Sequence, residues 1–272
     1  MNGWLRYVYF AAVIGTFCSA TVSNVSGASP ETDSFFRIGT GGIGGTYFQI
    51  GSLIARGLTK PNSDERCEPG KHCGIPGIVA VAQISNGSIS NINSLAIGEL
   101  DAALVQADTA YWAQQGTEVF ESSGRVSNLR AIAALYPESL HVVVRRDSGI
   151  QSVRDLRGKR VSLDEPGSGT LIDSRILLKA FGLTERDLKP EYIKPNLSAE
   201  KMAAGKLDAF LIFAGYPTPT IRDLTTSIAI SLLPVSGREV ENVTRNNGFL
   251  RKGLIPKGTY HLAGDIPTLQ VM

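Results

Sequence analysis

From Phe35 onward the chain alternates short apolar runs with longer stretches in which apolar residues recur every three or four positions. The short runs predict strands buried on both faces, and the longer period predicts amphipathic helices. Phe35–Ile38 reads as a strand, followed by the glycine run Gly39–Gly45. Thr46 then caps a helix to about Thr59, with Phe48, Ile50, Leu53, Ile54 and Leu58 as its apolar side. Ile78–Gln83 is a second strand, and Ser88 caps a helix carrying Ile89, Ile92, Leu95 and Ala96. Ala102–Val105 closes the series as a third strand.

The same order returns further along. Lys159–Leu163 is a strand, Pro166–Gly169 a tight glycine turn, and Thr170–Phe181 a helix closed by Gly182. Pro190–Ile193 is a strand, Ser198 caps a short helix to Ala204, and Ala209–Phe213 is a buried strand. Each series ends on one signature, G-[EK]-L-D-A, at 98–102 and at 205–209. Units of this order give parallel strands joined by right-handed crossovers. The pattern therefore predicts an α/β protein of two similar lobes with a cleft between them. Ala131–Leu135, His141–Val144 and Ile228–Leu233 read as further strands, the last two as adjacent crossing strands that form a hinge. On this reading lobe one holds residues 34–145 plus 232–272, and lobe two holds residues 146–231.

The first residues follow another pattern. One positive charge at Arg6 precedes twelve residues, Tyr7–Cys18, without a charge. That is too short for a spanning helix, which needs ~20 apolar residues. With the small residues after it, the stretch predicts a secretory signal over residues 1–28, cleaved after Ser26-Gly27-Ala28 or earlier at Cys18-Ser19-Ala20. Lipid anchoring at Cys18 is the alternative, disfavoured by the bulky Phe17 before it. Export changes the meaning of Cys67 and Cys73 in CEPGKHC: in an oxidising compartment two cysteines around a Pro-Gly turn are expected to pair. His72 beside them makes no zinc site, since no second Cys/His pair lies nearby.

Composition narrows the partner. The 27 Lys and Arg against 25 Asp and Glu leave a net charge of +2, with no basic cluster of the kind that grips nucleic acid. Glycine is abundant, 29 residues in 272, and it clusters where strands hand over to helices. Backbone amides at a helix N-terminus, left open by glycine, bind anions. Gly41-Gly42…Thr46-Tyr47 and Gly167-Ser168-Gly169-Thr170 both have that layout, in matched positions of the two lobes. Gln106-Ala107-Asp108 and Tyr136-Pro137-Glu138 also follow strands, and ligands of open α/β sheets sit beyond such carboxyl ends.

Other chemistry is less well supported. Gly39, Gly41 and Gly44 fit G-x-G-x-x-G, but the acid expected after the second strand is missing, and no lysine follows the loop as a P-loop requires. G-x-S-x-G is absent. His141 lies in an apolar strand and reads as structural. Asp108 and Glu138 admit three readings: an acid/base pair, a receptor for a ligand ammonium, or solvated carboxylates. No cofactor and no metal are expected.

Four segments together resemble a known family: IGTGGIGGTYFQIGSLIA, VAVAQISNGSISNINSLAIGELDAALVQADTAYWA, LYPESLHVVVRRDSGIQSVRDLRGKRVSLDEPGSGT and AGKLDAFLIFAGYPTPTI. They are similar to the TAXI-type solute receptors of TRAP transporters, from Phe35 to about Ile266. The resemblance implies a monomeric, periplasmic, two-lobed binding-protein fold of type II. Such a receptor closes on a small carboxylate, glutamate- or glutamine-like or a dicarboxylate, and delivers it to membrane subunits driven by a sodium gradient. It implies no enzyme activity. Carried over by position, Gly41, Gly42, Thr46 and Tyr47 form the first ligand loop, Gln106 and Asp108 the second, and Ser168, Gly169 and Thr170 the third. Gly215 and Tyr216 are the hinge-side contact, and Glu138 is a further member. The cysteine loop at 67–73 also resembles that of many members. Family members usually continue with another strand and helix, so the resemblance implies a first lobe shortened at the C-terminus. Two other functions stay open at this point: an exported enzyme using Asp108 and Glu138, and a ligand sensor for a membrane kinase.

Overall fold

The computed structural model describes residues 33–59, 74–261 and 264–271. The expected signal over 1–28 and the cysteines Cys67 and Cys73 lie outside the described residues.

The smaller of two sheets is built from β1 (Ser34–Gly39), β2 (Ile78–Gln83) and β3 (Ala102–Ala103), in the order β2-β1-β3 and all parallel. It carries α1 (Thr46–Leu58), α2 (Ser88–Ala96) and α3 (Ala107–Gln115). The larger sheet starts with β4 (Glu138–Arg145). It continues with β5 (Arg160–Ser162), α4 (Gly169–Ala180), β6 (Lys189–Glu191), α5 (Pro195–Ala203) and β7 (Ala209–Ala214). Next come α6 (Pro219–Ser227), β8 (Ile230–Leu232), α7 (Arg238–Asn246), β9 (Arg251–Ile255) and β10 (Ile266–Val271). Among the described residues it is a seven-stranded sheet of order β6-β5-β7-β4-β10-β9, with β8 paired to β4.

The internal repeat is real and has a chemical basis. The order β2-β1-β3 is matched by β6-β5-β7, again parallel. The aspartate of each signature clamps an arginine on the first strand of its unit. Asp101 Oδ2 accepts the Arg37 backbone N–H at 2.7 Å and its Nε at 3.0 Å. Asp208 Oδ2 does the same for Arg160, at 2.9 and 3.0 Å. Each strand carbonyl in turn accepts the aspartate's own N–H at 3.0 Å. The glycine opening each signature, Gly98 and Gly205, sits at φ +74° and +71°, the left-handed region that ends a helix without a Cβ penalty.

Strand patterning shows why the apolar runs are unbroken in the larger sheet. Leu140, Val142 and Val144 of β4 pack with Leu211 and Phe213 of β7 on one face. Val143, Phe210 and Ile212 enter a second core on the other. Helices cover both faces, so both parities must be apolar.

Three expectations change. Ala131–Leu135 forms no strand; Ile132 is 88% exposed, and the small sheet ends at the two-residue β3. An apolar run needs a partner edge to become a strand, and none is paired there. Residues 232–272 were expected with the first lobe, yet β9 and β10 extend the larger sheet and α7 packs on α4. The adjacent strands expected as a hinge do pair, Val143 opposite Leu232, but both lie within the larger sheet. The chain thus passes from the small sheet to the large one through residues 131–137.

His141 is structural, as its apolar strand suggests. Its Nδ1 bonds the Ser139 carbonyl at 2.8 Å, so that nitrogen carries the proton, and Nε2 accepts from the Tyr260 hydroxyl at 2.9 Å. The Tyr260 oxygen in turn accepts the Thr218 N–H at 3.0 Å. Burial lowers the His141 pKa to about 4, which keeps the ring neutral. Tyr260→Phe leaves two buried groups unpaired and is expected to destabilise the protein by about 1–3 kcal/mol. A urea midpoint equal to that of the wild type would contradict this network's role.

Candidate functional site

The two sheets face each other across a narrow cleft, about 60 Å³ in volume and open to solvent at its mouth. Strand ends and glycine turns build its walls. Gly41, Gly42, Thr46 and Tyr47 come from the smaller body, as does Gln106; Ser168, Gly169 and Thr170 come from the larger, and Glu138 stands where the chain enters it. These nine expected site residues all line the cleft. Asp108, Gly215 and Tyr216 do not. The Gly215 carbonyl accepts the Thr46 hydroxyl at 3.3 Å, Tyr216 packs beside the second core, and Asp108 is buried behind the wall.

The helix starts differ from the expected caps. Gly45, not Thr46, is the N-cap of α1; no side chain caps that helix, and Gly45, Thr46 and Tyr47 at its start line the cleft. Gly87, not Ser88, is the N-cap of α2. Ser88 instead accepts the Gln106 N–H at 3.0 Å and lies 3.4 Å from the Tyr47 hydroxyl. Ser168 does cap α4, its Oγ accepting Leu171 N–H at 3.1 Å.

Direct bonds join the two bodies along the cleft. The Gly167 carbonyl accepts the Ile89 and Ser90 N–H groups at 3.0 and 3.1 Å, so the start of α2 is capped from the opposite body. Asn86 Nδ2 donates to the Pro166 carbonyl at 3.2 Å. On the other side, the Gly44 carbonyl accepts the Thr218 and Thr220 hydroxyls at 2.8 and 2.9 Å. Such seams satisfy buried backbone groups only while the bodies are together.

The electrostatics of the cleft are acidic. Glu138, Asp164 and Glu165 line it, and among the described residues no lysine, arginine or histidine does. Glu138 accepts the Tyr47 hydroxyl at 2.8 Å. Burial pushes its pKa up to about 8, the Tyr47 bond opposes that, and the nearby Asp108 adds to it. Burial likewise raises Asp164 to about 7. Asp164 also holds φ +72°, a conformation costly for a residue with a Cβ. Lys194 reaches Glu165 at 3.4 Å, outside the lining.

Sequence reasoning missed Asn86, Ser88, Asp164 and Glu165. All follow strand ends, so the rule that selected the glycine turns also reaches them; what it lacked was a reason to prefer them. Among the described residues no cluster of three or more metal-ligating side chains exists, and no helix is long and apolar enough to cross a membrane. Asp108 and Glu138, the acid/base candidates, do not face the cleft together.

The sequence profile of the NMT1-like family matches residues 38–272. The chain belongs to the NMT1-like family. This family member shares its α/β fold with a solved protein of Bordetella bronchiseptica RB50, at 15% identity over 89% of this chain and 64% of that one, TM-score 0.53. It is also similar to the alkanesulfonate-binding protein SsuA from Xanthomonas axonopodis pv. citri bound to MOPS, at 20% identity over 74% and 61% of the two chains, TM-score 0.45. The glutamate complex of the AvGluR1 ligand binding domain matches at 14% identity over 90% and 85%, TM-score 0.45. This NMT1-like chain spans less than two thirds of the length of the first solved structures it matches.

Proposed function

We propose that this protein is a periplasmic solute-binding receptor, without catalytic chemistry, that closes its two bodies on a zwitterionic amino acid. One observation carries the ligand class: the cleft offers amides at the uncapped start of α1 together with the buried carboxyls of Glu138 and Asp164, and no basic side chain. The amides suit a carboxylate and the carboxyls suit an ammonium. A dicarboxylate would place its second anion against Glu138 and Asp164, for which no basic side chain lines the cleft; Lys194 pairs with Glu165 alone. The separation of Asp108 from the cleft lining disfavours the enzyme reading. The resemblance to TAXI-type receptors supports delivery to the membrane subunits of a TRAP transporter.

A thermal-shift screen of L-amino acids and four- to five-carbon dicarboxylates tests the class. An amino acid is expected to raise the melting temperature in a saturable way, with no turnover of the ligand. A dicarboxylate that shifts the melt more than every amino acid, or consumption of the ligand, would overturn the reading. Uptake by vesicles carrying the membrane subunits, dependent on both this protein and a sodium gradient, tests the transporter assignment.

A further inference from the structure

Asp108 stands in the first turn of α3, on the smaller body, and Asp173 one turn into α4, on the larger. Each is 2% exposed, and Gln106, two residues before Asp108, donates across the seam to Asp173, which brings the two carboxyls near each other behind the cleft. Each carboxyl has one satisfied oxygen. Asp108 Oδ1 accepts the Thr109 N–H at 2.6 Å and its hydroxyl at 3.2 Å; Asp173 Oδ2 accepts Gln106 Nε2 at 2.7 Å. The remaining oxygens, Asp108 Oδ2 and Asp173 Oδ1, are buried and have no hydrogen-bond partner.

A carboxylate is only an acceptor, so two of them cannot bond each other. Two buried anions side by side also repel strongly in a low dielectric. One proton between the orphaned oxygens removes both problems, turning one acid into a donor and the pair into a single shared anion. We propose that Asp108 and Asp173 form a proton-binding site that latches the two bodies, so that the cleft closes with uptake of one proton. The proposal rests on the reading of the cleft as one that closes, though not on the identity of its ligand.

The groups that bear on the pair agree with this. Glu138 of β4 faces it, and through Glu138 so do Tyr47 of α1 and Tyr136. All are acidic groups, and none supplies a cation. Burial raises the pKa of both aspartates, and the neighbouring charge raises Asp173 further. The sign follows from linkage. A raised folded pKa means that the latch is fully made below the ordinary carboxylate range and is lost as pH rises through the raised value of the pair.

Solution X-ray scattering on the ligand-free protein in a Glu138→Gln background tests the latch without interference from the titration of Glu138. Between about pH 5 and about pH 9.5 the radius of gyration is expected to rise by several per cent. Adding Asp173→Asn replaces the shared proton by a permanent amide donor, and the protein should then stay compact at both pH values. Asp108→Asn makes the same replacement from the other side and serves if Asp173→Asn fails to fold by circular dichroism. A radius that does not change with pH, or an asparagine variant that expands like its parent, overturns the proposal. Expansion in a protein that binds no amino acid would sink the ligand reading and support the latch.

Discussion

Glu138→Gln is expected to weaken binding of the amino acid ligand roughly 10- to 100-fold, the loss of one charge-assisted hydrogen bond at about 1.5–3 kcal/mol. The substitution keeps the shape of the side chain and the bond from the Tyr47 hydroxyl, so the loss reports charge. The pH dependence sharpens the test. In the free protein Glu138 titrates at about 8. An ammonium needs the ionised form, so below that value binding must expel a proton and wild-type affinity should rise with pH, by up to about tenfold per unit. Glu138→Gln should lose this rising limb. The falling limb from opening of the Asp108–Asp173 latch should be absent from Asp173→Asn. Calorimetric titration from about pH 6 to about pH 8 separates the cases; affinity of the Asp173→Asn variant that fails to rise over this range, or a glutamine variant that binds as tightly as the wild type, would remove Glu138 from the site. Stability has the opposite sign. Neutral Glu138 contributes stability that is complete below the ordinary carboxylate range and lost as pH rises through about 8.

Gly167→Ala is expected to reduce affinity about tenfold or more while leaving each body folded. The residue sits at φ +97°, where a Cβ costs roughly 1–2 kcal/mol, and that Cβ would stand 2.2 Å from Ser90 Oγ and 3.3 Å from Asn86 Cβ of the opposite body. The added methyl therefore presses on the seam where the Gly167 carbonyl caps α2. Gly158→Ala is the control. Its φ is +73° with open space around the new Cβ, so it carries the same backbone cost without touching the cleft. Equal affinity in Gly167→Ala and Gly158→Ala would show that the seam does not matter for binding.

Much of the small-scale order was legible in the chain. The G-[EK]-L-D-A signature marked two units of one design, and the structure shows its reason in the aspartates that hold Arg37 and Arg160. The rule that ligands sit beyond strand ends picked the glycine turns, and those turns meet in the cleft. Errors came where a local pattern depends on a distant partner. Ala131–Leu135 has the composition of a strand and no edge to join. Thr46 and Ser88 are good capping residues, yet the chain places the cap one residue earlier and uses Ser88 to hold Gln106.

The sequence by itself determined the α/β class, the repeated unit and the turns that form the cleft. All of these follow from periodicity and from what glycine permits within a few residues. Only the tertiary structure decided which sheet takes β9 and β10, and which carboxyls share a buried space. Strand partnership is a contact between segments far apart in the chain. The chemistry of an aspartate depends on burial and on its neighbours: Asp108 reads in sequence as an acid/base or ammonium-binding candidate beyond a strand end, and is instead buried beside Asp173 of α4, each carboxyl raised by burial.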